Sequence, residues 1–131
     1  MNGRLKWMCL VVLATCAAAA SAEVVDDCAS LLGSIGVELR YARQLPASAR
    51  TTFTCPRDAT ALLGAGRQRV LAALGPPDEN RAGSDGEGAA WVYWFGPRPA
   101  DGESRTTGQP GLRFDFDAMF AVRAVGCERH A

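Results

Sequence analysis

Gly75-Pro76-Pro77 divides this chain into two stretches with different hydrophobic periods, and that division limits the folds open to it. No helix runs through consecutive prolines, because each lacks an N–H and its ring crowds the preceding turn. Before the break the pattern is helical. Cys28, Leu31, Leu32, Ile35, Leu39 and Ala42 recur at helical spacing, with Arg40 and Arg43 on the other side. Asp26 and Asp27 are good N-caps and Pro46 ends the run. This predicts a helix over 27–44, weakened at Gly33 and Gly36, each of which costs about 1 kcal/mol in a helix interior. Residues 46–54 read as a connecting loop. Pro56 and Asp58 open a second short helical stretch carrying Ala61, Leu62 and Leu63, interrupted by Gly64 and Gly66. Arg67 to Leu74 is a third, with Val70, Leu71 and Leu74 on one face and Gly75 as its cap.

After the break the period changes. Residues 78–88 are acidic and Gly-rich, which predicts a loop. Ala89 to Phe95 is aromatic and β-branched and predicts a strand, with Trp91, Tyr93 and Phe95 on one face and Val92 and Trp94 on the other. Residues 96–110 form a long loop. Gly111 to Asp117 alternates, with Leu112, Phe114 and Phe116 one way and Arg113, Asp115 and Asp117 the other, as in an antiparallel strand with one wet face. Met119 to Cys127 is a third strand with Val122 and Val125 inward, and 128–131 is a loose tail. Helices followed by consecutive strands predict an α+β fold, two or three short helices packed on a three-stranded antiparallel sheet. The expected core is Leu62, Val70, Leu71, Leu74, Trp91, Tyr93, Leu112, Phe114, Phe116 and Val122.

The first 22 residues stand outside this scheme. Arg4 and Lys6 precede a charge-free run from Met8 to Ala20, and Ala20-Ser21-Ala22 supplies small residues before Glu23. This is the form of a bacterial secretory signal cleaved after Ala22, which predicts a periplasmic or secreted protein. The run is short for a membrane span, which needs about 20 apolar residues. Leu13-Ala14-Thr15-Cys16 approximates a lipoprotein box, so a lipid anchor on Cys16 is the alternative, and membrane contact is expected only in that case. Removal of residues 1–22 from the 131-residue chain leaves 109, enough for one small domain. Arg4 and Lys6 leave with the leader, so 12 cations face 14 acids and the net charge is −2. With no clustered basic face, a nucleic-acid partner is not expected.

Three cysteines remain: Cys28, Cys55 and Cys127. An oxidising compartment allows one bridge and leaves one thiol. Cys28–Cys55, tying the N-terminal segment to the start of the core domain, is the expected pairing, with the two pairings to Cys127 as alternatives. No Cys-x-x-Cys is present, and a single His with no close Cys pair argues against zinc.

Catalytic chemistry finds little support. Asp115 and Asp117 share a strand face, but beside Arg113 and Arg123 they read as a solvated surface. Asp78, Glu79, Asp85 and Glu87 lack the spacing of a calcium loop. Gly83-Ser84-Asp85-Gly86 has neither the preceding strand nor the following helix of a phosphate loop. Gly96-Pro97-Arg98-Pro99 reads as a rigid loop. His130 stands one residue from the end of the chain, with no fixed partner to make it a base. No catalytic residue, cofactor or metal site is expected. The aromatic strand has more appeal. Val92 and Trp94, left on the sheet face away from the helices near Arg113 and Asp115, would form an apolar patch for a protein partner. Burial of that patch beneath residues 23–45 is the competing expectation.

The order of these motifs resembles the SmpA/OmlA family, the BamE-like fold of Gram-negative envelope proteins. Leu62-Leu63-Gly64-Ala65-Gly66-Arg67-Gln68-Arg69-Val70-Leu71-Ala72-Ala73-Leu74-Gly75-Pro76-Pro77-Asp78 resembles its helix and Leu-Gly-x-Pro stop. Trp91 to Phe95, Leu112 to Asp117 and Phe120 to Val125 resemble its three strands. The resemblance covers roughly 58–127. It implies two helices on a three-stranded antiparallel sheet and a non-catalytic, periplasm-facing scaffold role. The expected organisation is then a signal peptide (1–22), an N-terminal helical extension (23–55), a BamE-like domain (56–127) and a tail (128–131). The expected function is a protein-binding or scaffold module of the cell envelope whose partner is another envelope protein. A lipid-anchored outer-membrane assembly subunit, or a secreted inhibitor or immunity protein docking through the sheet face, are the alternatives.

Overall fold

A computed structural model describes residues 26–49, 53–82 and 88–131; the expected leader, its cleavage point and Cys16 lie outside these residues. The first element is helix α1, Asp26–Gln44. A single 3-10 turn at Thr60–Leu62 follows, then helix α2, Arg67–Leu74. The second helical stretch shrinks to that one turn because Gly64 stops it at once. Asp58 holds its start, accepting a hydrogen bond from the Thr60 N–H at 2.9 Å. Gly75 closes α2 as expected, its N–H donating to the Leu71 carbonyl at 2.8 Å. Gly36 does not break α1. A Cβ there would lie 3.0 Å from the Ala73 carbonyl, so the glycine is what lets α1 approach the backbone of α2.

The sheet has four strands, not three: β1 (Glu79–Arg81), β2 (Ala90–Trp94), β3 (Pro110–Phe116) and β4 (Val122–Arg129), antiparallel in sequential order. β1 lies in the segment expected to be loop. Glu-Asn-Arg carries no apolar alternation, and its pairing follows instead from the open edge of β2. Glu79 opposes Val92 and Arg81 opposes Ala90. β4 runs two residues beyond the expected strand and orders the tail. The His130 N–H donates to the Gln109 carbonyl and the Gly108 N–H donates to the His130 carbonyl.

One sheet face packs on the helices. Trp91, Tyr93, Leu112, Phe114 and Phe116 join Leu32, Ile35, Leu39 and Ala42 of α1, together with Leu62, Val70 and Leu74, in one core. Trp91 meets Phe116, and Tyr93 meets Phe114, edge to face at 5.0 and 5.9 Å. α1 therefore shares the core of the strand half. Leu71 and Val125 are only partly buried at its margin.

The bridge joins Cys55 to Cys127, with Cα atoms 6.1 Å apart, and Cys28 is the free cysteine among the described residues. The expected Cys28–Cys55 pairing is not made. Cys28 sits in the first turns of α1, against the core, while Phe53 stacks on Phe95 at 3.7 Å and anchors the segment carrying Cys55.

Val92 and Trp94 do share the second sheet face, but neither is exposed. Trp94 is 2% accessible. Its indole lies across Gly111, its cross-strand neighbour, where a Cβ would fall 2.5 Å from the ring, and His130 meets its edge at 5.0 Å. Gly111→Ala should therefore push the rigid indole aside and cost about 2 kcal/mol. A lowered urea midpoint with red-shifted tryptophan emission is the expected result.

Candidate functional site

Register places Glu79, Arg81, Val92, Arg113, Asp115 and Glu128 on the sheet face away from the helices. Their charges form a chain across it. Arg81 Nη2 contacts Glu79 at 2.9 Å and Glu128 at 2.7 Å. Arg113 reaches Glu128 at 3.0 Å and Asp115 at 3.3 Å. Arg81 and Glu128 belong to opposite edge strands, so their contact passes over β2 and β3 and closes the layer above Val92. Burial pushes the Glu128 carboxyl up, but the guanidiniums of Arg81 and Arg113 outweigh it and hold the group below the usual carboxylate range. Exposed ion pairs are individually weak, at about 0–1 kcal/mol, and gain from being networked. Of the residues expected to form an apolar docking patch, Val92 and Trp94 are thus sealed, while Arg113 and Asp115 belong to the layer that seals Val92.

A second polar centre lies where β1 begins. Asp78 follows the two prolines, and its side chain is 4% accessible. The Trp94 N–H points toward β1 beyond that strand's last partner, and donates to Asp78 Oδ2 at 2.7 Å. The carboxylate thus extends a ladder that the prolines cannot. Three guanidiniums converge on it: Arg43 from the last turn of α1 at 3.3 Å, and Arg98 and Arg105 from the 96–110 loop at 3.4 and 3.7 Å. Arg105 also donates to Gln109 Oε1 at 2.9 Å. Burial lowers the Arg105 pKa, opposed by Asp78 and Glu79. Beside them the Tyr93 hydroxyl donates to the Gly75 carbonyl at 2.9 Å, and burial raises its pKa. Nothing in the spacing of these residues points to this cluster, since Arg43, Arg98 and Arg105 are separated from Asp78 by long stretches and meet only through the fold. Of the expected acidic loop, Asp78 serves this cluster and Glu79 the charge layer, while Asp85 and Glu87 lie outside the described residues.

The third feature is the β3–β4 turn. Asp117 directs it without glycine, its carboxylate accepting from the N–H groups of Met119 at 2.8 Å and Ala121 at 3.0 Å. The turn puts Phe120 at φ 60°, the left-handed region, which costs a bulky residue about 1–3 kcal/mol. The Arg67 N–H donates to the Phe120 carbonyl at 3.0 Å, and the Arg67 guanidinium stacks 4.0 Å over the Phe120 ring. Even so, Phe120 is 46% and neighbouring Met119 85% accessible. Leu63 is also exposed, in the segment whose Gly64 and Ala65 hydrogen-bond to Val122. Two large apolar side chains, Met119 and Phe120, therefore project from this turn.

Among the described residues no group of three His, Cys, Asp or Glu side chains is placed to hold a metal ion, and no helix is long and apolar enough to cross a membrane. No protein-family model matches the chain, and neither does any characterised protein or solved structure.

Proposed function

We propose that this chain is an exported, non-enzymatic protein-binding module of the bacterial cell envelope, with a BamE-like α+β domain that includes α1, and that it grips its partner with the β3–β4 turn. The observation that carries this is Phe120, a bulky residue held at positive φ while its ring stays half in water. A left-handed turn position is met more cheaply by glycine. Retaining phenylalanine there, beside Met119, makes sense where the ring inserts into another surface. The Cys55–Cys127 bridge supports an oxidising compartment, in keeping with the secretory leader. The sheet face supports an inhibitor-like docking role poorly, because its apolar residues lie under charge.

A photoreactive phenylalanine at Met119, expressed in a Gram-negative periplasm, should crosslink to one envelope protein, and the same probe at Arg57 should not. Phe120→Gly should abolish the adduct while leaving stability within about 1 kcal/mol of the parent, since relief of strain offsets the lost stacking on Arg67. Equal labelling at both positions, or an adduct that survives Phe120→Gly, refutes the reading.

A further inference from the structure

Three guanidiniums share one buried carboxylate at Asp78, an excess of positive charge that no other ion pair among the described residues neutralises. Glu79, the other carboxylate acting on Arg105, is already hydrogen-bonded to Arg81. The contacts to Asp78 are also incomplete. They run from 3.3 to 3.7 Å, longer than the roughly 2.7–2.9 Å of a strong charge-assisted hydrogen bond. Arg43 turns Nη2 to the carboxylate and keeps Nε buried with no hydrogen-bond partner. Buried donors of this kind are rare and mark places where an ion or water is taken up.

We propose that Arg43, Arg98 and Arg105 form a binding site for a small oxyanion, the carboxylate or phosphoryl group of a polar ligand, seated beside Asp78. Planar guanidinium forks suit the paired oxygens of either group. Arg43 and Arg105 are mostly buried and supply a fixed floor, whereas the Arg98 side chain, 56% accessible, is the arm that reaches solvent. Asp78 holds the three cations together and leaves them with two charges to spare. Gln109 links the cluster to a cavity of about 330 Å³ lined also by Ser48, Pro97, Thr106, Thr107 and Arg129. Its hydroxyls and the Arg129 guanidinium suit the polar body of such a ligand. The site is distinct from the β3–β4 turn and does not depend on the function proposed for that turn.

The test titrates inorganic phosphate and, separately, acetate into the disulfide-bonded protein at low ionic strength, following arginine Nε–H and backbone amide resonances. Saturable shifts are expected at Arg43, Arg98, Arg105 and the Trp94 amide. Arg98→Ala, on an exposed arm that the fold tolerates losing, should weaken the tighter anion about tenfold. Arg98→Lys should recover only part of the loss, because the fork is missing, and Arg57→Ala, a surface control, should leave the affinity unchanged. Tighter phosphate identifies a phosphoryl ligand and tighter acetate a carboxylate. Shifts that never saturate, or equal weakening by Arg98→Ala and Arg57→Ala, would show diffuse charge screening and overturn the site.

Discussion

Asp78→Ala should destabilise the protein by about 4 kcal/mol, one of the two greatest effects expected here. The substitution leaves three guanidiniums facing one another with no anion between them, and it strands the Trp94 N–H inside the fold. Losing one partner of a buried ion pair typically costs about 3–5 kcal/mol, because the remaining charge stays desolvated. An unsatisfied buried donor adds about 1–3 kcal/mol, offset here by Arg98 swinging into water. Asp78→Asn separates the two contributions. Its amide oxygen still accepts from Trp94, so about 1–2 kcal/mol should return while the loss of charge persists. Urea unfolding of the three proteins measures this. A cost below about 1 kcal/mol for alanine would mean that Asp78 neither holds the arginines nor ends the ladder.

Breaking the Cys55–Cys127 bridge should be as damaging. The cysteines are 72 residues apart, and the loop-closure model assigns a bridge of that span about 4 kcal/mol, mostly from restricting the unfolded chain. For a domain of this size the melting temperature should fall by roughly 15 °C or more on reduction, or in the Cys55→Ser/Cys127→Ser double variant. Phe53, stacked on Phe95 two residues from Cys55, should loosen first, since the bridge ties its segment to β4. Identical melting of oxidised and reduced protein would rule out this account. Serine at Cys28, a free thiol at the margin of the core, should have a much smaller effect.

Local chemistry was enough to place most of the elements. The period of Leu32, Ile35, Leu39 and Ala42 located α1, the Gly75-Pro76-Pro77 stop located the end of α2, and the alternation of Leu112, Phe114 and Phe116 located β3 and its inward face. Each of these signals lies within one element, where neighbouring residues determine which side is apolar. β1 carries no such signal. It is a strand because Val92 needed backbone partners, a requirement set by another part of the chain.

The candidate sites divide in the same way. The alternation along β2 put Val92 and Trp94 on the outer face, but their accessibility depended on what crossed above them. The Arg81–Glu128 contact joins the two edge strands, and the space at Gly111 admits an indole. The cysteine partners, the convergence of Arg43, Arg98 and Arg105 on Asp78, and the left-handed Phe120 are likewise products of assembly. By itself, then, the sequence determined the helices α1 and α2, the strands β2, β3 and β4 and which way their side chains face, because those depend on contacts a few residues apart. Only the tertiary structure decided which surfaces stay open and which charges meet, because both depend on groups brought together from distant parts of the chain.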